Sequence, residues 1–339
     1  MLISAVRYPV ACQRVAAVSR SLPRTAIQDW NERDTDAMPN PAGPPAPSHP
    51  ARLRVGVVGA GRVGSILGAA LARAGHQLTG VSAVSQASLQ RAERLLPGVA
   101  VLPPPEVVAG ADLVLLTVPD DVLPGLVAGL CATGITLAGK LLAHASGRHG
   151  LAVLDPATRL GALPLALHPV MTFTGRPDDI DRLAGISFGV TAPASLRLVA
   201  EALVIEMGGE PVFIAEASRA LYHAALASAA NHLVTLVVQA AELLGVAGVP
   251  DPARMLAPLL GAALDNALQL GDAGLTGPVA RADADTVADH LAALREVSPE
   301  ALRAYVALAR LTADRALAAG MLPAPDAQRL LDVLAGVPR

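Results

Sequence analysis

Gly59, Gly61 and Gly64 follow the apolar run Val55-Gly56-Val57-Val58 at spacings of two and three residues, and an Ala/Leu-rich stretch at 65–74 comes directly after them. A glycine turn between a strand-type run and a helix-type run suits the binding of an anion. Gly59 permits the tight turn, Gly61 lets a pyrophosphate approach the main chain, and Gly64 lets the helix pack closely on the strand. The N-terminus of the helix then offers unpaired N–H groups to the negative charge. Gly59, Ala60, Gly61, Arg62, Val63 and Gly64 are therefore candidate dinucleotide contacts, the alternative being a glycine-rich turn without a ligand.

Three later turns carry groups able to bind or to move protons: Val118-Pro119-Asp120-Asp121, His144-Ala145-Ser146-Gly147 and Leu167-His168-Pro169. Each closes an apolar run, so in a parallel sheet all three stand at carboxyl ends of strands, where open α/β sheets bind ligands. Val118, Pro119, Asp120, His144 and Ser146 are thus further candidate cofactor contacts. Asp120 could equally open the helix that follows, and His144 could be a satisfied core histidine. His168 could donate a proton or hold a substrate oxygen, since an ordinary imidazole titrates near neutral pH. Its alternative is a backbone bond at the proline turn.

Farther on, Tyr222, His223, Ser228, Asn231, His232, Thr235 and Gln239 interrupt a small and apolar stretch at 217–244. Ser228, Asn231, Thr235 and Gln239 recur at three- and four-residue spacing and make one polar stripe on a helix, facing a ligand or a neighbouring helix of a dimer. His223 precedes Asn231 by eight residues, about 12 Å along a helix axis, so the two cannot serve one small group of atoms. Arg281 lies in a loop ahead of Asp283, a candidate helix N-cap. It could clamp a carboxylate bidentately, or be a surface arginine.

The end of the second strand, Gly80-Val81-Ser82-Ala83-Val84-Ser85, has no acid to bond a ribose 2′-OH and repel a 2′-phosphate. With Ser82 and Ser85 as donors and Arg62 or Arg91 as charge, the region favours NADP, with NAD possible. The alternative is that the serines cap the helix beginning at Gln86.

These residues need elements to hold them. Strand-type runs at 55–58, 77–82, 99–102, 112–118, 141–145, 163–168, 186–191 and 211–215 alternate with helix-type runs up to 195–207. Such alternation predicts an α/β Rossmann domain with a mainly parallel sheet. Helices expected at 217–244, 252–269, 283–293, 299–319 and 324–334 then form an all-α C-terminal domain. The expected division is a disordered tail at 1–50, a nucleotide-binding domain at 52–215 and a helical substrate and dimerisation domain at 216–339.

The tail carries Arg7, Arg14, Arg20 and Arg24 before its first acid, Asp29, and then a proline-rich run from Pro39 to Pro47. Its early part has the composition of an organelle transit peptide; the preferred account is translated upstream sequence, with the start at Met38. In the whole chain a net charge of −3 and 2% aromatic residues offer neither a basic footprint nor stacking platforms for nucleic acid. Cys12 and Cys131 are too few for a disulfide framework or a thiolate metal site, so no metal is expected and a reducing cytoplasm fits. The apolar runs are broken by polar residues before spanning length, which argues against a membrane span. Lys140 is the sole lysine, so nearly every catalytic role falls to other residue types.

With these motifs in place, residues 53–335 resemble the 6-phosphogluconate dehydrogenase-like superfamily, as in ketopantoate reductase, pyrroline-5-carboxylate reductase and prephenate dehydrogenase. More closely, the chain is similar to a bacterial family joining a Rossmann-like domain to a helical domain of unknown function. The resemblance rests on the Gly59–Gly64 turn, Thr117-Val118-Pro119-Asp120, His144-Ala145-Ser146-Gly147, His168-Pro169, Tyr222-His223 through Asn231, and Thr276-Gly277-Pro278-Val279-Ala280-Arg281. It implies an NADP-dependent reductase of a small keto acid, ketopantoate being the best single candidate. His168 or His223 would protonate the developing alkoxide, Asn231 would hydrogen-bond it and Arg281 would anchor the substrate carboxylate. Hydroxyacid dehydrogenases of the superfamily place a catalytic lysine four residues before an asparagine on the long helix. If Asn231 is that asparagine, Ala227 stands in the lysine position. The alternatives are a dehydrogenase or imine reductase on another carboxylated substrate, and a regulator that binds NADP(H) without turnover.

Overall fold

A computed structural model describes residues 52–336; the tail, Met38 and Cys12 lie outside the described residues. The first part of the chain runs β1 (Arg54–Val58), α1 (Arg62–Arg73), β2 (Gln77–Ser82), α2 (Gln86–Leu95), α3 (Pro104–Ala109), β3 (Leu113–Leu116), α4 (Leu123–Ala132), β4 (Leu141–His144), α5 (Asp155–Thr158), β5 (Leu163–Pro169), α6 (Asp178–Asp181), β6 (Ser187–Thr191), α7 (Arg197–Glu206) and β7 (Glu210–Phe213). The strands form one 7-stranded sheet in the order β2-β1-β3-β4-β5-β6-β7. All neighbours are parallel except β5 and β6, which pair antiparallel.

Successive strand residues feed two cores. Val55, Val57, Leu113, Leu115 and Ala143 join the cluster under α1, α2 and α7, whereas Val58, Val114, Leu116 and Leu142 join the cluster with Val107, Leu123 and Val127. Burial on both faces is why these strands read as continuous apolar runs instead of alternating ones. The chain departs from the expected pattern at 99–102, where only an isolated bridge between Val81 and Val101 forms. Pro103, Pro104 and Pro105 follow at once and have no N–H to extend a ladder, and Pro104 instead opens α3.

The chain then becomes helical: α8 (Arg219–Ala227), α9 (Leu233–Val246), α10 (Pro252–Leu270), α11 (Gly277–Ala280), α12 (Ala284–Val297), α13 (Pro299–Ala318) and α14 (Ala324–Ala335). Val287, Leu291, Val306, Ala313, Leu330 and Leu334 pack into a third core among α12, α13 and α14. The helix expected at 217–244 is interrupted by a π-helical turn, Ser228–His232, between α8 and α9. The whole stretch Glu216–Val246 has 31 residues, and its most apolar window has mean hydropathy 1.4 and is 0% buried. By length and composition this helix could cross a bilayer, against the expectation of no membrane span, even though single Ser, Asn, Thr and Gln residues break its apolar run.

Candidate functional site at the carboxyl edge of the sheet

The glycine turn joins β1 to α1 where β1 lies between β2 and β3. Gly59 has φ +103°, and a Cβ there would sit 2.9 Å from the Thr117 carbonyl oxygen. At Gly64 a Cβ would overlap the Thr117 hydroxyl and the Gly59 carbonyl. These two glycines are required by the fold itself. Gly61 is not: a Cβ there would meet only the Thr117 carbonyl, at an ordinary 3.8 Å, and its φ is −71°. The fold therefore leaves room beside Gly61. Helix α1 also has no side-chain cap and no acid in its first turn, so its leading N–H groups remain open to an anion. The residues present fit a dinucleotide pyrophosphate.

The rim of this turn is held by β2. Main-chain N–H groups of Gly59 and Ala60 donate to the Ser82 carbonyl at 3.3 and 2.8 Å, and Gly59 N–H also lies 3.1 Å from the Ser82 hydroxyl oxygen. Ser82 is buried and its oxygen lone pair is engaged, so it acts first as a brace for the turn. Ser85 is the N-cap of α2 in a capping box with Ser88 and is exposed to solvent. The helix-capping alternative for the serine pair therefore holds for Ser85. Arg62 follows the turn directly and is exposed.

Farther along the same edge, the ends of β3, β4 and β5 converge. His149 Nε2 lies 3.0 Å from the Asp120 carbonyl oxygen, joining the first two ends. Asp120 is half-buried, and α4 begins after Val122 without a side-chain cap, so the helix-capping alternative for Asp120 is not realised. Val118 is half-buried and Pro119 exposed in that turn. Ser146 accepts from His149 N–H at 3.0 Å. His144 is 1% exposed and spends both ring nitrogens on main chain, accepting from Ser146 N–H at Nδ1 and donating from Nε2 to the Gly150 carbonyl. Burial lowers its pKa to about 4, with the Gly150 bond opposing. The alternative of a satisfied core histidine therefore fits His144, whose ring nitrogens shape the loop.

His168 lies in β5, and its Nδ1 is 2.7 Å from the Tyr222 hydroxyl of α8. The two rings meet edge to face, as do His168 and His223, with centroids 5.6 and 6.1 Å apart. Gly147 makes room for both histidines, because a Cβ there would lie 2.7 Å from the His223 ring and 2.8 Å from His168 Nε2. Gly189 on β6, opposite His168, does the same for Tyr222, whose hydroxyl would overlap a Cβ at that position. Burial, then the nearby Arg219 and His223, pushes the His168 pKa down to about 4. It is therefore a neutral imidazole near pH 7 and not an imidazolium acid. Burial raises the Tyr222 pKa, and Arg219 opposes that rise.

Arg219, one helical turn before Tyr222, is 2% exposed and forms no ion pair with a carboxylate among the described residues. Its guanidinium donates to the Thr191 hydroxyl at 2.8 Å, to the Gly189 and Ala166 carbonyls at 2.9 and 3.2 Å, and to the Ser146 carbonyl at 3.4 Å. Arg219 thereby fastens the start of the helical region to β4, β5 and β6. Glu216 adds a second tie by accepting from Leu151 and Ala152 N–H at 2.7 and 3.1 Å. Sequence reasoning did not single out Arg219. The available signal was its position three residues before Tyr222, on the same helix face.

The remaining candidates do not join this cluster within one chain. Asn231 lies exposed in the π turn; its carbonyl accepts from the Thr235 hydroxyl, and its side chain has no hydrogen-bond partner among the described residues. Arg281 is exposed after α11; its N–H donates to the Gly277 carbonyl, and its side chain makes no hydrogen bond or ion pair among the described residues. Asp283 is the N-cap of α12, accepting from Thr286 N–H at 3.1 Å. Lys140, at the opposite end of β4, donates to the Ala109 and Ala111 carbonyls and is remote in role from this edge. Among the described residues no group of His, Cys, Asp and Glu could hold a metal ion.

Residues 38–169 match a Rossmann-like domain family, and residues 186–312 match a domain of unknown function, DUF2520. No curated protein matches the chain. Among solved structures, a protein from Thermotoga maritima superposes with TM-score 0.59 at 19% identity, covering 78% of this chain and 98% of its own. A reductive aminase from Aspergillus terreus in complex with NADPH and ethyl levulinate superposes with TM-score 0.58 at 22% identity, covering 83% and 99%. An imine reductase from Myxococcus stipitatus in complex with NAD+ gives TM-score 0.56 at 20% identity, covering 84% and 100%. At these identities the likeness establishes the fold. The chain matches a Rossmann-like domain family in its first part and DUF2520 in its second, in a fold shared with the reductive aminase and the imine reductase.

Proposed function

We propose that the protein is an NADP-dependent reductase of a small carboxylated substrate. The observation that carries this reading is the room at Gly61 beside the open N-terminus of α1, lying on the same sheet edge as the His168–Tyr222 pair. Ser82 ends a second strand without an acid, and Arg62 stands beside the turn, which supports NADP over NAD. When bound, the cofactor supplies hydride to an electrophilic carbon. The chain's part is to hold that carbon near the carboxyl edge, donate hydrogen bonds to the developing charge and deliver a proton.

Tyr222 is the proton donor in this reading. When His168 carries its proton on Nδ1 and donates to the Tyr222 oxygen, the phenolic proton is free to point at a substrate atom. In place of a histidine donor, His168 is the partner that orients Tyr222, and His223 stands beside it. Asn231 and Arg281 keep their proposed roles of bonding the reacting oxygen and anchoring a carboxylate. Both are exposed on the helical part, taken here as residues 216–339 against a nucleotide unit at 52–215. A homodimer through that part is the arrangement that would cover Val234, Val238, Leu259 and Leu268, whose side chains stand open on α9 and α10. Sedimentation tests it, and a monomer at micromolar concentration, or co-flotation with lipid vesicles, rejects it.

The leading substrate is ketopantoate. A second reading, reduction of an imine, is favoured by the likeness to the reductive aminase and the imine reductase. Incubating the protein with NADPH and separate panels of keto acids, and of ketones with amines, distinguishes them by which panel consumes NADPH. Tight NADPH binding with no consumption on either panel leaves the non-catalytic regulator and overturns both.

A further inference from the structure

Gly175, in the turn after β5, lies against arginines from two other elements. Its φ is +78°, and a Cβ there would sit 3.1 Å from Arg91 Cδ and 3.2 Å from Arg62 Cγ. Arg62 opens α1 directly after the glycine turn, and Arg91 lies on α2 just beyond the end of β2. A third arginine, Arg94, donates to the Gly175 carbonyl at 2.9 Å. Among the described residues neither the Arg62 nor the Arg91 side chain has a hydrogen-bond or ion-pair partner, and Arg91 Nε is closed off from solvent without one. The stems of Arg62 and Arg91 thus converge on Gly175, and guanidinium groups carried on them would share an anion placed beside that turn.

What holds Gly175 in place is Asp179, which is 1% exposed. One carboxylate oxygen accepts from Thr174 N–H at 2.7 Å, Gly175 N–H at 2.8 Å and the Thr174 hydroxyl at 3.1 Å. The other accepts from Arg182 at 3.0 Å. Resting on the NADP reading above, we infer that the turn around Gly175 is a second wall of the 2′-phosphate site, and that Asp179 is its positioning residue. By fixing Gly175 against both arginine stems, Asp179 limits the directions their guanidinium groups can take. A dianionic phosphate on the ribose at the end of β2 would then meet donors already in place. The consequence is dinucleotide selectivity, controlled by a carboxylate that does not itself touch the ligand.

Calorimetric titration of the full chain with 2′,5′-ADP and with 5′-AMP tests this, because the two probes differ in the 2′-phosphate. Wild-type protein is expected to bind 2′,5′-ADP at least tenfold tighter; no preference would overturn the NADP reading itself. Given a preference, Asp179→Asn is expected to reduce the ratio at least fivefold while leaving 5′-AMP affinity unchanged. Gly175→Ala, whose methyl group presses on both arginine stems, should act in the same way and decides the matter if Asp179→Asn does not fold. An unchanged ratio in a folded variant, or equal loss of both ligands, overturns the positioning role.

Discussion

The Tyr222 hydroxyl and His168 Nδ1 lie 2.7 Å apart, linking the first helix of the helical region to the sheet at the strand edge that faces the glycine turn. In the proposed reading this contact makes the phenol, and not an imidazolium, the proton donor near neutral pH. Tyr222→Phe is expected to lower kcat by about 10²-fold with little change in NADPH affinity, in line with the usual contribution of a positioned acid. His168→Ala should produce a smaller fall in kcat. Equal kcat for wild type and Tyr222→Phe in steady-state assays would remove Tyr222 from the role.

The glycine turn separates fold from ligand. Gly64→Ala forces a methyl group into the Thr117 hydroxyl and the Gly59 carbonyl, and is expected to lower stability by about 2–3 kcal/mol or more. Gly61→Ala meets no such obstacle, so its melting temperature should stay close to wild type while NADPH affinity drops about tenfold or more. Thermal melts with and without NADPH measure both effects. A Gly61→Ala protein that binds as wild type does would deny the turn its ligand.

Arg219 is a buried cation satisfied by a hydroxyl and carbonyls alone. Arg219→Met removes the charge and leaves those acceptors without donors, at an expected cost of about 3 kcal/mol. Urea unfolding would show it as a lower midpoint. Loss of catalytic activity in the remaining folded protein should accompany it, because Tyr222 sits one turn away.

Acid should destabilise the fold through His144. Its folded pKa of about 4 lies below the ordinary value of 6.5, so the unfolded chain binds the proton first. Stability is full above pH 6.5 and falls as pH drops from there towards 4, by on the order of 3 kcal/mol for a fully buried ring. His168 shifts in the same direction over the same window. Unfolding free energies that stay flat between pH 7 and 4.5, or His144→Asn leaving the slope unchanged, would contradict this.

Much of the scaffold was legible in the chain because its cues are local. Buried parallel strands need apolar runs, and Val55–Val58, Leu113–Leu116 and Leu141–His144 supply them. The helical second half followed from long stretches with few breakers. By contrast, 99–102 has the residue types of a strand and fails to become one, because the prolines next to it cannot pair.

The candidate site was only partly legible. The sequence by itself determined that a glycine turn, two histidine turns and a Tyr-His pair exist, and that alanine, not lysine, stands four residues before Asn231. Tertiary structure decided which of them meet. It placed His168 against Tyr222, spent both nitrogens of His144 on backbone, and left Asn231 and Arg281 apart from that cluster. It also revealed Arg219 and Asp179, whose roles depend on carbonyls and N–H groups from distant strands and turns. Hydrogen bonds to main chain carry no residue-type signature at the accepting position, so such roles appear only once the chain has folded.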